Sequence, residues 1–120
     1  MAYSRQVSRR FITVAETALF ARQAQDVWDE AEREAFVDFI AQNPEAGDVI
    51  PETGGVRKIR WARTGTGKRG GTRVIYFYHD RDRPLYLLMV YAKAVREDVT
   101  PAAKKALAEF AARIKRAARG

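Results

Sequence analysis

The 120-residue chain is 47% hydrophobic and 11% aromatic, which is typical of one globular domain with a substantial core and excludes a disordered segment. It contains no cysteine and one histidine, so disulfides, a thiol nucleophile and a cysteine-based metal centre are excluded, and we expect neither metal nor cofactor. The N-terminus lacks the apolar region of a signal peptide, and no apolar run reaches about 18 residues. We therefore expect a cytoplasmic protein without a membrane span.

The positive charge is distributed unevenly along the chain, which has a net charge of +7. Residues 1–55 carry five cations and ten acids, residues 56–79 carry seven cations and no acid, and residues 80–120 carry ten cations and five acids. Such one-sided charge is typical of a protein that binds nucleic acid. The alternative is a basic surface that only keeps the protein soluble.

The N-terminal third is predicted to form a strand followed by two helices. The β-branched and aromatic run Phe11–Val14 predicts a first strand. Apolar residues at helical spacing then predict helices over about 16–25 and 30–43, because the acidic residues from Asp29 onward favour a helix start. Nothing in the sequence forces a break between them, so one longer helix is the alternative.

The second half is predicted to form a sheet and a final helix. Residues 45–55 are expected to form a loop, and residues 64–71 a hairpin loop. Thr100 followed by Pro101 is a strong helix start, and basic residues suit the end of that helix. The predicted strands are Val56–Arg63, Thr72–His79 and Leu85–Lys93, of which the last is apolar on both faces and hence central.

The predicted order β-α-α-β-β-β-α defines an α+β fold. It has a small, antiparallel-rich sheet with two N-terminal helices and one C-terminal helix. We expect residues 1–120 to form a single domain in which residues 1–9 and 116–120 are loosely ordered tails.

The glycine-rich stretch from Gly65 to Gly70 matches G-x-G-x-x-G literally, but its context excludes dinucleotide binding. That motif needs a helix after it and an acidic residue about 20 positions later, whereas a strand follows here and the required acid is absent. The Walker A pattern of nucleoside triphosphatases is also absent, because position 62 is Ala and position 69 is Arg. We interpret the stretch as a flexible hairpin loop whose Lys68 and Arg69 contact a phosphate backbone.

Three cations on neighbouring strands are the strongest candidates for a site. Alternation places Lys58 and Arg60 on one face, and Arg73 begins the adjacent antiparallel strand. Cations that converge in this way repel each other unless an anion binds, and arginine offers a planar fork for phosphate oxygens. The alternative is a solvated sheet face on which the charges splay apart.

The residues around the end of the last strand, and the single histidine, give a weaker indication of function. Tyr91 could stack on a base or donate a proton, and a core aromatic is the equal alternative. Lys93 adds another cation. His79 is adjacent to Asp80 in a turn, so a hydrogen bond with Asp80 or Asp82 is favoured over catalysis.

Together these segments resemble the RelE/ParE toxin superfamily, and most closely its HigB-like, phage-derived branch. The resemblance rests on the KIRWAR strand, the Gly/Lys/Arg loop, TRVIYFYHD, PLYLLMVYAK and the capped basic helix, and it covers about residues 11–115. It implies a RelE-like fold similar to that of small microbial ribonucleases. It also implies a toxin of a type II toxin–antitoxin system, acting as a metal-independent endoribonuclease on mRNA in the ribosomal A site and inhibiting translation.

The resemblance also implies roles for individual residues. Lys58, Arg60 and Arg73 match the cations that RelE-like toxins use at the scissile phosphate, and Lys93 lies near the family's final arginine. The family's catalytic tyrosine falls near Thr100 and is absent, so Tyr91 is its substitute and the general acid and base stay unassigned. The 2′-OH would attack the adjacent phosphate. The expected RNA or ribosome contacts are Arg57, Arg63, Lys68 and Arg69.

Two other functions are alternatives. A ParE-like inhibitor of DNA gyrase has the same fold, but the clustered strand cations argue against it. A non-catalytic RNA-binding module would bind in a salt-dependent manner without cleavage. The partner that the resemblance implies is a cognate antitoxin, HigA-like and carrying a helix-turn-helix.

Overall fold

The computed structural model describes residues 2–3, 12–62, 71–93 and 98–119, and within them the chain forms six strands and three helices. In chain order these are β1 (Ala2–Tyr3), β2 (Val14–Glu16), α1 (Ala18–Val27), α2 (Glu30–Gln42), β3 (Asp48–Val49), β4 (Val56–Trp61), β5 (Thr72–Phe77), β6 (Leu85–Ala92) and α3 (Pro101–Arg119). The strands form one sheet in the order β1-β2-β6-β5-β4-β3. Only β2 and β6 run parallel among these pairs.

Each helix has its own N-cap, and the extended Trp28 and the Asp29 cap separate α1 from α2, which decides against one longer helix. The Thr17 hydroxyl accepts a hydrogen bond from the Phe20 N–H and so begins α1. At the start of α2, Asp29 and Glu32 form a reciprocal capping box with distances of 2.8 and 3.2 Å. The carboxylate of Asp29 thus satisfies a backbone donor that the helix itself leaves without a partner.

The helices cover opposite faces of the sheet. α1 and α2 pack on one face, where Phe20 and Phe36 meet Val74 and Leu87 in a fully buried cluster. α3 packs on the other face, where Leu107 joins a second cluster of sheet residues. β6 lies between β2 and β5 and is buried from both sides, which confirms that the last predicted strand is central.

The α+β fold and the element order are confirmed, with differences at several boundaries. The first strand is Val14–Glu16, while Phe11 lies outside the described residues. The region predicted as the loop 45–55 contains β3, which is a strand because it pairs with β4. α3 continues through Arg119, and β1 pairs with β2, so ordered elements occupy parts of both expected tails.

Two of the other predicted strands end earlier in the structure. β4 ends at Trp61 and β5 at Phe77, in each case two residues before the predicted end.

In the described part of the chain, no helix combines the length and the apolarity needed to cross a membrane.

Candidate functional site

The strand register places Arg60, Arg73 and Tyr91 in one row across β4, β5 and β6. Arg60 is paired with Arg73, and Arg73 is paired with Tyr91 on its other side. Residues that oppose each other in antiparallel strands have their side chains on the same face, with Cβ atoms about 4.5–5.5 Å apart. Lys58 precedes Arg60 by two residues and shares that face. Four of the five predicted catalytic residues therefore occupy one face of the sheet.

This row lies on the face of the sheet that α3 covers. Ile75, two residues after Arg73 on the same face of β5, belongs to the apolar cluster that includes Leu107 and Ala111 of α3. α3 carries six cations and one acid, so the helix adds positive charge to this side of the molecule. The cations of the row thus stand at the edge of an apolar core.

Lys58, Arg60 and Arg73 are from here on called the cations of the row, and they differ in their exposure to solvent. Arg60 is exposed and Lys58 is half-buried, whereas Arg73 is only 6% exposed. An anion that approaches this face meets Arg60 and Lys58 first. The positive charge of Arg73 lies beneath the surface, where screening by water is weaker and its effect on a bound anion is larger.

A carboxylate that the sequence reasoning missed contacts this group of cations. The Asp98 Oδ1 lies 3.1 Å from the Lys58 Nζ and also accepts a hydrogen bond from the Val99 N–H at 2.9 Å. The hydrogen bond from the Lys58 ammonium, and next that from Val99, lowers the pKa of Asp98 below its ordinary value of 3.8. The sequence signal was an acid two residues before the helix start at Thr100, and it gave no indication of Lys58.

Tyr91 is placed as a core residue. Its side chain is 7% exposed and belongs to the apolar cluster of Met89 and Leu107. This placement agrees with the core alternative, because a buried ring presents no face for stacking on a base. Its position in the row nevertheless puts Tyr91 beside Arg73.

Lys93 lies one residue beyond β6. Its backbone N–H donates to the carbonyl oxygen of Gly71 at 3.3 Å, and its side chain is half-buried. This bond places Lys93 beside the start of β5, where Thr72 pairs with Ala92. Lys93 is therefore near the same end of the strands as Arg73 but outside the row itself.

Arg57 lies on the opposite face of β4 from Lys58 and Arg60. Its guanidinium donates hydrogen bonds to the backbone carbonyls of Glu45 and Gly47, at 3.1 and 2.7 Å. The Gly47 N–H in turn donates to the Tyr76 hydroxyl at 2.8 Å. Arg57 thus holds the segment after α2 against the sheet. The other predicted RNA contacts, Arg63, Lys68 and Arg69, lie outside the described residues.

His79 is remote from the row, since it follows the end of β5 that is farther from Arg73. Its ring stacks on Phe77 with 6.3 Å between centroids, and its Nε2 lies 3.8 Å from Asp80. Asp80 instead accepts hydrogen bonds from Arg83 and from the Asp82 N–H. His79 lies just before the turn and near Asp80, but the predicted hydrogen bond is not formed, because 3.8 Å is too long for one.

The arrangement suits stabilisation of a phosphate more than binding of a metal. Arginine and lysine donors placed on a rigid sheet can stabilise negative charge that develops on a phosphoryl group. Among the described residues, no group of three or more histidine, cysteine, aspartate or glutamate side chains could hold a metal ion. The described part of the site therefore offers cationic stabilisation as its main chemistry.

Comparisons with known proteins identify the family and a similar fold. Residues 12–119 match a family model described as the RelE toxin of the RelE/RelB toxin–antitoxin system. A solved structure of the E. coli toxin RelE, a double arginine-to-alanine mutant in the free state, is similar with a TM-score of 0.52 and 14% sequence identity. The match covers 73% of this chain and 88% of that one. At this identity the structural match is a likeness of fold.

Proposed function

We propose a function for this chain, which belongs to the RelE toxin family. It is a ribosome-dependent endoribonuclease that inhibits translation by cleaving mRNA. The observation that carries the proposal is the pairing of Arg60 with Arg73 beside Lys58 on one sheet face. Such a surface favours an anion that occupies all three cations at once. A phosphodiester of an RNA strand in the ribosomal A site supplies that anion.

The proposed reaction is attack of a ribose 2′-OH on its adjacent phosphate. A bond forms between the 2′ oxygen and phosphorus, the bond to the 5′ oxygen breaks, and the products are a 2′,3′-cyclic phosphate and a 5′-OH. The 2′-OH loses one proton and the leaving oxygen gains one, so the net proton count is unchanged. Lys58, Arg60 and Arg73 stabilise the charge that builds on the phosphoryl oxygens. Lys93 or Tyr91 is the proposed carrier of these protons.

The exposure of the row suggests how the cations divide this work. Arg60 is exposed and can place its planar fork on two phosphate oxygens as the strand arrives. Arg73 is buried behind it and acts mainly through its charge. Arg63, Lys68 and Arg69 are the proposed contacts with the RNA backbone outside the reacting phosphate, whereas Arg57, which lies on the opposite face and donates to backbone carbonyls, is not. No metal is required by this mechanism.

The test compares Arg60→Ala with wild type in a translating extract, in which mRNA cleavage is mapped by primer extension. Removing one donor to the transition state typically lowers a rate by about 10²–10³-fold, and we expect a loss of that order. Arg22→Ala is the matched control because Arg22 is an exposed arginine on α1, on the other side of the sheet. Equal cleavage by Arg60→Ala and wild type would show that the site is misplaced.

Further arms of the experiment separate the alternatives. Cleavage products that end in a 2′,3′-cyclic phosphate and a 5′-OH support the proposed attack by the 2′-OH. A wild-type protein that binds ribosomes without cutting mRNA is a binding module, and one that blocks gyrase supercoiling instead is a ParE-like toxin. Either result overturns the nuclease proposal.

The proposed partner is a cognate antitoxin, HigA-like and carrying a helix-turn-helix, and the proposed place of action is the cytoplasm. Membership of a toxin–antitoxin family supports the existence of such a partner. A reading frame for a small helix-turn-helix protein beside this gene, whose co-expression relieves growth arrest, is the expected finding. Arrest that no neighbouring product relieves would contradict the pairing.

A further inference from the structure

The contact between Lys58 and Asp98 joins a cation of the proposed site to a carboxylate of the same chain. The two residues are 40 positions apart, and the distance from Nζ to Oδ1 is 3.1 Å. Lys58 lies on β4, and Asp98 lies two residues before Thr100, whose hydroxyl accepts a hydrogen bond from Ala103 at the start of α3. The start of α3 therefore brings a negative charge onto the face where a phosphate is proposed to bind.

We propose that Asp98 occupies, in the free protein, the position on Lys58 that a phosphate of the RNA takes when it binds. This inference rests on the proposed function, because it assigns a phosphate subsite within the proposed cationic row. Asp98 and a phosphodiester offer the same chemistry to an ammonium group, namely anionic oxygen acceptors. The RNA must then replace Asp98, or share Lys58 with it, before the row is fully engaged.

The charge around Lys58 gives a reason for the contact. Arg60 and Arg73 oppose each other, and Lys58 lies diagonally from Arg73 on the same face, so the three like charges are expected to repel one another. Asp98 offsets one of these charges in the absence of RNA. A phosphate offsets the same charge when RNA is bound, so the carboxylate is required only in the free state.

The exposure of Asp98 makes the exchange feasible. Its side chain is 64% exposed while that of Lys58 is 32% exposed, so the carboxylate can turn towards water without opening the core. Exposed ion pairs contribute little to stability, and loss of one corresponds to a change in affinity of at most about fivefold. A strand of RNA that also contacts Arg60 and is attracted by the charge of the buried Arg73 outweighs a contact of this size.

A second ion pair at α3 supplies a matched control. Lys104 Nζ lies 3.3 Å from Glu52 Oε1, and its side chain is 32% exposed, as is that of Lys58. Lys104 belongs to α3 and lies outside the row on the strands. Replacing Glu52 by glutamine thus removes one negative charge from an equivalent exposed pair without freeing a cation of the row.

The experiment measures binding of a fluorescent 2′-O-methyl RNA oligonucleotide, which lacks the attacking hydroxyl and so reports binding without cleavage. We expect Asp98→Asn to bind this RNA about two- to fivefold more tightly than wild type. Asparagine keeps an acceptor for the Val99 N–H, so the start of α3 is preserved. Glu52→Gln is expected to give a smaller gain, because it changes only the overall charge.

Measuring Asp98→Asn in a Lys58→Met background completes a double-mutant cycle. If Asp98 acts through Lys58, Asp98→Asn in the Lys58→Met background increases the affinity for RNA no more than Glu52→Gln does. In the wild-type protein, addition of the RNA should also shift the Asp98 carboxyl resonance towards that of an aspartate without a cation. Both results would support the proposal.

Three results would overturn it. Asp98→Asn could bind RNA more weakly, which would make Asp98 a residue that positions Lys58 for RNA. Its gain could equal that of Glu52→Gln or persist without Lys58, which would reduce the effect to general electrostatics. Wild type and all variants could fail to bind the RNA. Failure of the nuclease proposal is seen separately, as absence of mRNA cleavage in the translating extract.

Discussion

Arg60 and Arg73 oppose each other directly on the antiparallel strands β4 and β5, one exposed to solvent and the other 6% exposed. Like charges in opposed positions destabilise a sheet, and cross-strand pairs contribute roughly 0.2–1 kcal/mol. Repulsion between the two charges is thus expected to oppose folding, and the anion proposed to bind between them would offset it. Strain of this kind is expected where a binding surface is built on a rigid element.

The first prediction concerns the stability of Arg60→Ala. Removing the exposed arginine relieves the repulsion, so we expect the free energy of unfolding to rise by about 0.2–1 kcal/mol at low salt, while mRNA cleavage is lost. Urea denaturation measures the change, and Arg22→Ala on α1 is the control. A less stable Arg60→Ala protein would show that Arg60 has a structural role.

The second prediction concerns the hydrogen bond between the Gly47 N–H and the Tyr76 hydroxyl, at 2.8 Å. Tyr76 is fully buried, and burial raises the pKa of its hydroxyl while the Gly47 bond opposes that rise. Tyr76→Phe leaves the buried Gly47 N–H without this acceptor. We therefore expect the free energy of unfolding to fall by about 1–3 kcal/mol. Urea denaturation and hydrogen exchange at Gly47 report the effect.

The control for that substitution is Tyr86→Phe. The Tyr86 ring is half-buried against Phe110, and its hydroxyl has no hydrogen-bond partner within the described ranges of the chain. We expect a change of less than about 0.5 kcal/mol, as for surface substitutions that break no specific contact. Equal losses from the two substitutions would mean that the Gly47 bond is not the cause.

Local signals in the sequence were sufficient for the central strands and for the final helix. β5 and β6 are long apolar runs separated by a polar turn. The Thr100-Pro101 pair correctly predicted the start of α3. Alternation was also sufficient to place Lys58 and Arg60 on the same face. These features depend on neighbours within a few residues, which a sequence displays directly.

Features that depend on distant pairing were not predictable in this way. β3 has only two residues and is a strand because Asp48 and Val49 pair with β4. Glu16 was assigned to a helix, but it ends β2, and its carboxylate is paired with Arg33 of α2. The contact of Asp98 with Lys58 spans 40 positions and has no local signal. The burial of Arg73 likewise depends on elements that meet only in the folded protein.

The third prediction tests the capping box that separates α1 from α2. Asp29→Ala removes the acceptor of the Glu32 N–H, so we expect the free energy of unfolding to fall by about 1 kcal/mol. Asp26→Ala is the control, because Asp26 is exposed near the end of α1, where an acid does not complement the helix dipole. Thermal denaturation followed by circular dichroism compares the two. A larger loss from Asp26→Ala would contradict the role of the cap.

The last prediction concerns the pKa of Asp98. The hydrogen bond from Lys58 is the main cause of its lowered pKa, and the charge of Lys104 is the smallest of the causes. We therefore expect Lys58→Met to raise the pKa of Asp98 towards 3.8, and Lys104→Met to raise it less. A carbon-detected titration of the aspartate carboxyl groups measures both changes.

The sign of the accompanying stability change follows from the direction of that shift. Because the folded pKa of Asp98 is below 3.8, its pairing with Lys58 stabilises the fold above that pH. The contribution is lost as the pH falls through the lowered pKa, and it is small because the carboxylate is largely exposed. Wild type and Asp98→Asn should accordingly differ in stability at pH 7 and converge in strong acid. A difference that grows as the pH falls would contradict the pairing with Lys58.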